Sequence, residues 1–216
     1  MLSGKEPPKD EIHIMDRDLI LHAEHGPNAS AFAARVTAST NSDLHSAVVT
    51  GIGTLKGPAH GGAAEAVMKM SEEIGTPDKA EEYSRKVLEG GGRVMGFGHR
   101  VYKSEDPRAR HLREPAKSLG EAKGQPHWFQ ILSKLHEVMG PYQRRGIFVN
   151  VDFYAGAVYY LMGIPDDIFI SIFALGRIPG WTLNVAEQLN KNILIRPLLQ
   201  YTGPMDLAYV EIDQRK

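Results

Sequence analysis

The chain has no cysteine, which excludes disulfide bonding and any chemistry that runs through a thiolate. Long hydrophobic runs are missing too. A membrane-crossing helix needs roughly 18 to 20 consecutive apolar residues, whereas the longest apolar stretch, Ile168 to Leu175, is interrupted by Ser171. The first ten residues are polar, carry Lys5, Glu6, Lys9 and Asp10, and lack the apolar core of a secretory signal. Neither sign of charge dominates: 25 Lys and Arg face 26 Asp and Glu. The cations are spread along the chain, so there is no basic footprint for nucleic acid. We find no internal repeat and no low-complexity tract. These absences set the expectation of a cytoplasmic protein with neither a nucleic-acid nor a membrane partner. What is there, 42% hydrophobic residues in 216, suffices for one large or two small buried cores.

Most of the chain reads as helices punctuated by glycine and proline. Apolar residues at Ile12, Met15, Leu19 and Ile20 give 10–22 a helical period. Asn28 suits the N-cap of an alanine-rich helix over 30–39, and Asp43 that of a helix carrying Leu44, Val48, Val49 and Ile52. Helical patterns continue over 61–74, over 78–88 behind a Thr76-Pro77 start, and over 106–119 and 126–139. Segment 147–152 alternates as a short strand or extended run. Helices then resume over 153–162, 166–176 and 180–190. The class predicted is all-α.

Among nine histidines, His13, His45, His111, His127 and His136 sit inside helical patterns and read as structural or surface residues. His60 differs. It lies in Gly57-Pro58-Ala59-His60-Gly61-Gly62, where glycine lets backbone approach a ligand. A helix starting near Gly61 would keep its ring neutral through the helix dipole, although the same setting suits a plain turn. His99 lies in Gly96-Phe97-Gly98-His99-Arg100-Val101-Tyr102-Lys103, followed by Asp106-Pro107-Arg108. Arg100, Lys103 and Arg108 there suit carboxylate or phosphate binding. The alternative is a solvated basic loop ahead of a helix with Asp106 as N-cap. Asp152, between Ile147-Phe148-Val149 and Phe153-Tyr154, fits a general base with a raised pKa, or equally the N-cap of the helix from Phe153. Arg177 and Arg196 end apolar segments, as helix-end charges do, but are also placed to enter a cleft. His22, Glu24 and His25 carry a weaker metal-binding reading, without a third spaced ligand or a helical zincin pattern.

Taken together, these segments resemble the citrate synthase family. The resemblance rests on His22-Ala23-Glu24-His25 with Asn28-Ala29-Ser30, on the His60 and His99 motifs, on Asp106-Pro107-Arg108, on Asn150-Val151-Asp152, and on Arg177 and Arg196. In order, these motifs cover about residues 18 to 210. The resemblance implies that Asp152 removes a methyl proton from acetyl-CoA, that His60 hydrogen-bonds the thioester oxygen, and that His99 polarises the oxaloacetate carbonyl. It implies oxaloacetate binding by His25, Arg108, Arg177 and Arg196, the last reaching a neighbouring subunit's site, and hence a homodimer. CoA is expected along Arg93, Val94, Met95, Gly96 and Phe97, with Arg100 and Lys103 near its phosphates. No tightly bound cofactor is implied, acetyl-CoA being a substrate.

The implied architecture is a two-domain helical fold, with 1–62 and 163–216 in a large domain and 63–162 in a small one. The match begins partway into the family's chain, so the N-terminal part of the large domain is expected to be lacking and apolar faces to be left uncovered. Two other functions share these motifs: 2-methylcitrate synthesis from propionyl-CoA, and a non-catalytic CoA-binding or oligomerisation module.

Overall fold

The computed structural model describes residues 4–215, and among these the regular elements are all helices, without a strand. Nine α-helices follow in order: α1 (Lys9–His22), α2 (Ala29–Ser39), α3 (Leu44–Leu55), α4 (Ala63–Ile74), α5 (Ala80–Glu89), α6 (Ala109–Ala122), α7 (His127–Val138), α8 (Asp152–Leu161) and α9 (Phe169–Asn190). Asn28 caps α2 by accepting the Ala31 amide at 3.1 Å, and Asp43 caps α3 through the Ser46 amide at 3.0 Å. Each satisfies a main-chain donor that the first helical turn leaves free.

The largest core joins α4 to α8, with Val67, Met68, Leu112, Ile131, Leu135, Phe153 and Val158 among its buried residues and Ile14 and Phe169 added from α1 and α9. Smaller cores lie between α2, α3 and α9, built from Ala31, Leu55, Phe173 and Trp181 and from Ala34, Ala38, Ala47 and Val185.

Several sequence expectations are corrected. The inward face of α1 is Ile14, Asp18 and His22, while Ile12 and Ile20 stay exposed. In α3 the buried residues are Ala47, Gly51 and Leu55, while Leu44, Val49 and Ile52 point outward. Period alone finds a helix; the side that packs is set by which neighbour fits. Small residues win here because Gly51 lies against the Trp181 ring, where a Cβ would come within 2.9 Å.

Thr76 makes no side-chain cap, and a short 3-10 turn over Pro77–Lys79 precedes α5. The helix after Asp106 starts only at Ala109. Most consequential, the two helices read over 166–176 and 180–190 are one helix, α9, that runs through Pro179. Gly176 and Gly180 do not interrupt it. They permit close approach to the end of α1, where a Cβ on Gly176 would lie 3.1 Å from the His22 Cβ and one on Gly180 would strike the Ala23 carbonyl. By length and composition, 166–190 also qualifies as a membrane span, with mean hydropathy 1.4, which a search for unbroken apolar runs overlooks. Half of that window is buried within the protein, and its inward residues include Arg177, Trp181 and Asn184. It is packed as a core helix.

Candidate active site

A cleft of about 570 Å³ opens between the α2–α3–α9 side and the α4–α8 side, within the range of small-ligand sites. His25, His60, His99, Arg108, Asp152 and Arg177 all line it. So do Arg93, Val94, Met95, Gly96, Phe97 and Arg100, whereas Lys103 does not. Arg196 lies exposed on the irregular tail, its guanidinium reaching only the Pro197 carbonyl at 3.5 Å. None of His13, His45, His111, His127 and His136 reaches the cleft.

Backbone pairing sets the register of His99 against Asp152. Segment 147–152 forms a single antiparallel bridge, Phe97 to Val149, instead of a strand. Around it the Gly98 amide donates to Phe148 (2.7 Å), the Asn150 amide to Gly96 (2.9 Å), and the Asn150 side chain to the Gly98 carbonyl (3.1 Å). Glycine is required at 96, where φ is +79° and a Cβ would meet Phe153 at 2.5 Å. At 98 the positive φ of +88° alone explains it.

The histidine tautomers follow from their partners. His99 Nδ1 accepts main-chain N–H groups from Val101 and Tyr102, both at 3.1 Å. The ring proton therefore sits on Nε2, which donates to His25 Nε2 at 3.1 Å. Burial, followed by the Arg108 and His99 charges, lowers the His25 pKa to about 4. His99 is lowered by burial first, opposed by Asp106 and assisted by Arg108 and Lys103. Both rings are thus neutral near pH 7. His60 is held by Ser30, whose Oγ lies 2.9 Å from His60 Nε2 and accepts the Trp181 indole N–H at 3.0 Å. Its pKa is lowered by burial and then by Arg177. The ring is neutral as expected, but for a different reason: α4 starts at Ala63, three residues later, so desolvation and a cation take the place of the dipole.

Two cations line the cleft, Arg108 at the start of α6 and Arg177 on α9. Asp106, fully buried, grips Arg108 through Nε (3.0 Å) and Nη2 (2.7 Å) and accepts its amide, so it forms a clamp and not the expected N-cap. Arg177 is 1% exposed. Its Nε donates to the His22 carbonyl, its charge stacks 5.0 Å from the Phe173 ring, and its Nη1 has no protein partner. Burial, then repulsion from Arg108, lowers its pKa to about 10, so it stays charged. Two neighbouring guanidiniums with a buried unpaired N–H suit a dicarboxylate.

Asp152 opens α8 but makes no cap bond, which removes the capping alternative. Its Oδ1 is buried with no protein partner. Burial raises its pKa, opposed by His22 and Arg108. The metal reading of His22, Glu24 and His25 also fails on geometry. His22 turns into the core toward Asp18 (3.2 Å), Glu24 accepts from the Gly26 amide and Asn184, and His25 pairs with His99. Among the described residues no three His, Asp or Glu side chains form a metal-sized group.

The sequence reading missed Ser30, Asp106 as a clamp, and the pair Asp18 and His22. A polar i, i+4 pair on the inward face of α1 was the available signal for the last of these.

The family model for the citrate synthase C-terminal domain matches residues 1–198. The chain belongs to that family. It is 48% identical to a citrate synthase of Deinococcus radiodurans over all of this chain and 58% of the relative, and 44% identical to 2-methylcitrate synthase 1 of Corynebacterium glutamicum over 95% and 54%. Its fold matches a solved citrate synthase of Thermoplasma acidophilum, in ternary complex with carboxymethyl coenzyme A and oxaloacetate, with TM-score 0.92 and 37% identity over 99% of this chain and 57% of that one. This citrate synthase domain thus spans a little over half the length of its curated relatives.

Proposed function

We propose that this chain condenses acetyl-CoA with oxaloacetate to give citrate and CoA. The observation that carries the reading is the convergence, in one cleft, of a carboxylate with an unpaired buried oxygen (Asp152), two neutral imidazoles on opposite walls (His60 and His99), and two arginines, one with an unpaired buried N–H (Arg177). The 48% identity to a citrate synthase supports it.

A methyl proton beside a thioester is very weakly acidic, so base and oxygen-side donor must act together. Asp152 takes the proton while His60, fixed by Ser30, hydrogen-bonds the thioester oxygen as the enolate forms. His99 donates from Nε2 to the oxaloacetate keto oxygen, polarising the carbon that the enolate attacks. Arg108, Arg177 and His25 hold the two carboxylates, and the 93–97 wall takes the CoA. Water then cleaves citryl-CoA to citrate and free thiol. The exposed apolar residues on α2, α3, α9 and the tail support pairing of two copies, which would bring Arg196 to the partner's cleft.

The test is thiol release from acetyl-CoA in the presence of oxaloacetate. Steady release with citrate as product is the expected result. A faster rate with propionyl-CoA would reassign the enzyme to 2-methylcitrate synthesis. A folded sample that binds CoA and releases no thiol would make it a binding module.

A further inference from the structure

Beneath the cleft lies a second polar cluster with no place in that chemistry. Asp18 and His22 occupy the inward face of α1 and are 0% and 1% exposed. His22 Nδ1 donates to the Asp18 carbonyl at 2.9 Å and lies 3.2 Å from its Oδ1. From α8, the buried Tyr159 hydroxyl donates to Asp18 Oδ2 at 2.6 Å. Tyr159 sits seven residues, two helical turns, beyond Asp152 on the same helix, so both face one side of α8. The His22 ring packs edge-on against Phe173 at 4.5 Å, and its carbonyl takes the Arg177 Nε. One carboxylate, one imidazole and one phenol thus tie α1 to the helix that begins with Asp152 and to the arginine across the cleft.

Three buried polar groups are costly unless fully paired. Asp18 Oδ1 is buried with no hydrogen-bond partner and faces only the His22 ring, 3.2 Å away, so its charge is matched there by an imidazolium. We propose that Asp18, His22 and Tyr159 are positioning residues that place a cation behind the Asp152 carboxylate and so hold it ready as a base. This inference rests on the proposed condensation.

Burial works against a charged His22, but Asp18 and then Asp152 outweigh it and raise its pKa. In turn His22 is the largest influence opposing the burial that would keep Asp152 protonated. The other groups facing Asp152 are Arg108, Asp106 and Asp18, with Arg177 and Tyr159 coupled to it from α9 and its own helix. Arg108 is already clamped by Asp106, and His22, held by Asp18 at 3.2 Å, is the cation that acts most strongly on Asp152.

The test is an NMR titration of the full chain, following the Asp152 carboxyl carbon and the His22 ring, which requires no turnover. In the wild type the His22 midpoint is expected above its ordinary value of 6.5. In His22→Gln the Asp152 midpoint should rise by about one unit. Asp18→Asn should lower the His22 midpoint, and Tyr159→Phe, which removes a single oxygen, should shift it by freeing the Asp18 carboxylate. A wild-type His22 midpoint at or below 6.5 would overturn the proposal even if every variant failed to fold. So would an unmoved Asp152 midpoint in folded His22→Gln. A wild-type chain that shows these titrations but releases no thiol would refute the condensation reading and leave the coupling standing.

Discussion

At the residue scale the site trades stability for reactivity, and Asp152 shows this most directly. Its folded pKa lies above the ordinary 3.8, so from that value upward the native state binds more protons than the unfolded chain. Stability therefore falls as pH rises through that window, and the cost persists above it. Asp152→Asn removes the buried charge. The expected outcome is a loss of about 10²–10⁴-fold in thiol release together with a higher melting temperature at pH 7, read by calorimetry. Equal melting temperatures would show that the carboxylate is not under strain. His25 has the opposite linkage. With a folded pKa of about 4 against 6.5, it binds fewer protons than the unfolded chain between these values, so acidification through that window destabilises the protein. His25→Gln should flatten part of the slope of unfolding free energy between pH 6.5 and 4, measured with denaturant at several pH values. An identical slope would place the acid sensitivity elsewhere.

At the element scale, the sequence announced the helices without saying which side of each packs. Caps such as Asn28 and Asp43 are local hydrogen bonds, and those were legible. The Gly-rich settings of His60 and His99 were legible too, because they must leave a ring uncovered. What was not legible depends on partners far along the chain. Gly176 and Gly180 look like breaks, yet they serve the approach of α9 to α1, 155 residues away from His22 in the Arg177 contact. Asp106 looked like a cap until Arg108 folded back on it. Gly180→Ala drives a methyl into the Ala23 carbonyl and is expected to cost about 1–3 kcal/mol, read by denaturant unfolding. Because Arg177 sits on the same stretch, dicarboxylate affinity should weaken with it. A neutral substitution would mean that α9 shifts freely against α1.

At the scale of the whole molecule, many large apolar side chains of the described residues lie outside the core. Leu198 and Leu199 are 87% and 90% exposed, and Phe32, Val49, Ile52, Leu175 and Leu183 lie open on the helices. Exposed apolar surface marks an interface where it is contiguous. Light scattering on a size-exclusion column is expected to give a dimer or larger species at micromolar concentration. Leu198→Ser with Leu199→Ser should shift it toward monomer. A monomeric wild type would remove the pairing and with it any route for Arg196 into a cleft.

The short bridge between 96–98 and 148–150 also has a kinetic meaning. Its hydrogen bonds are all main-chain or Asn150 contacts, in a region otherwise made of loops. Opening it releases the His99 loop and the start of α8 in one event, so the two residues belong to a single cooperative unit. Amide exchange at Gly98 and Asn150 should therefore run at one shared rate, slower than at the flanking loop residues, and His99 and Asp152 would leave the site together while His60 stays on Ser30.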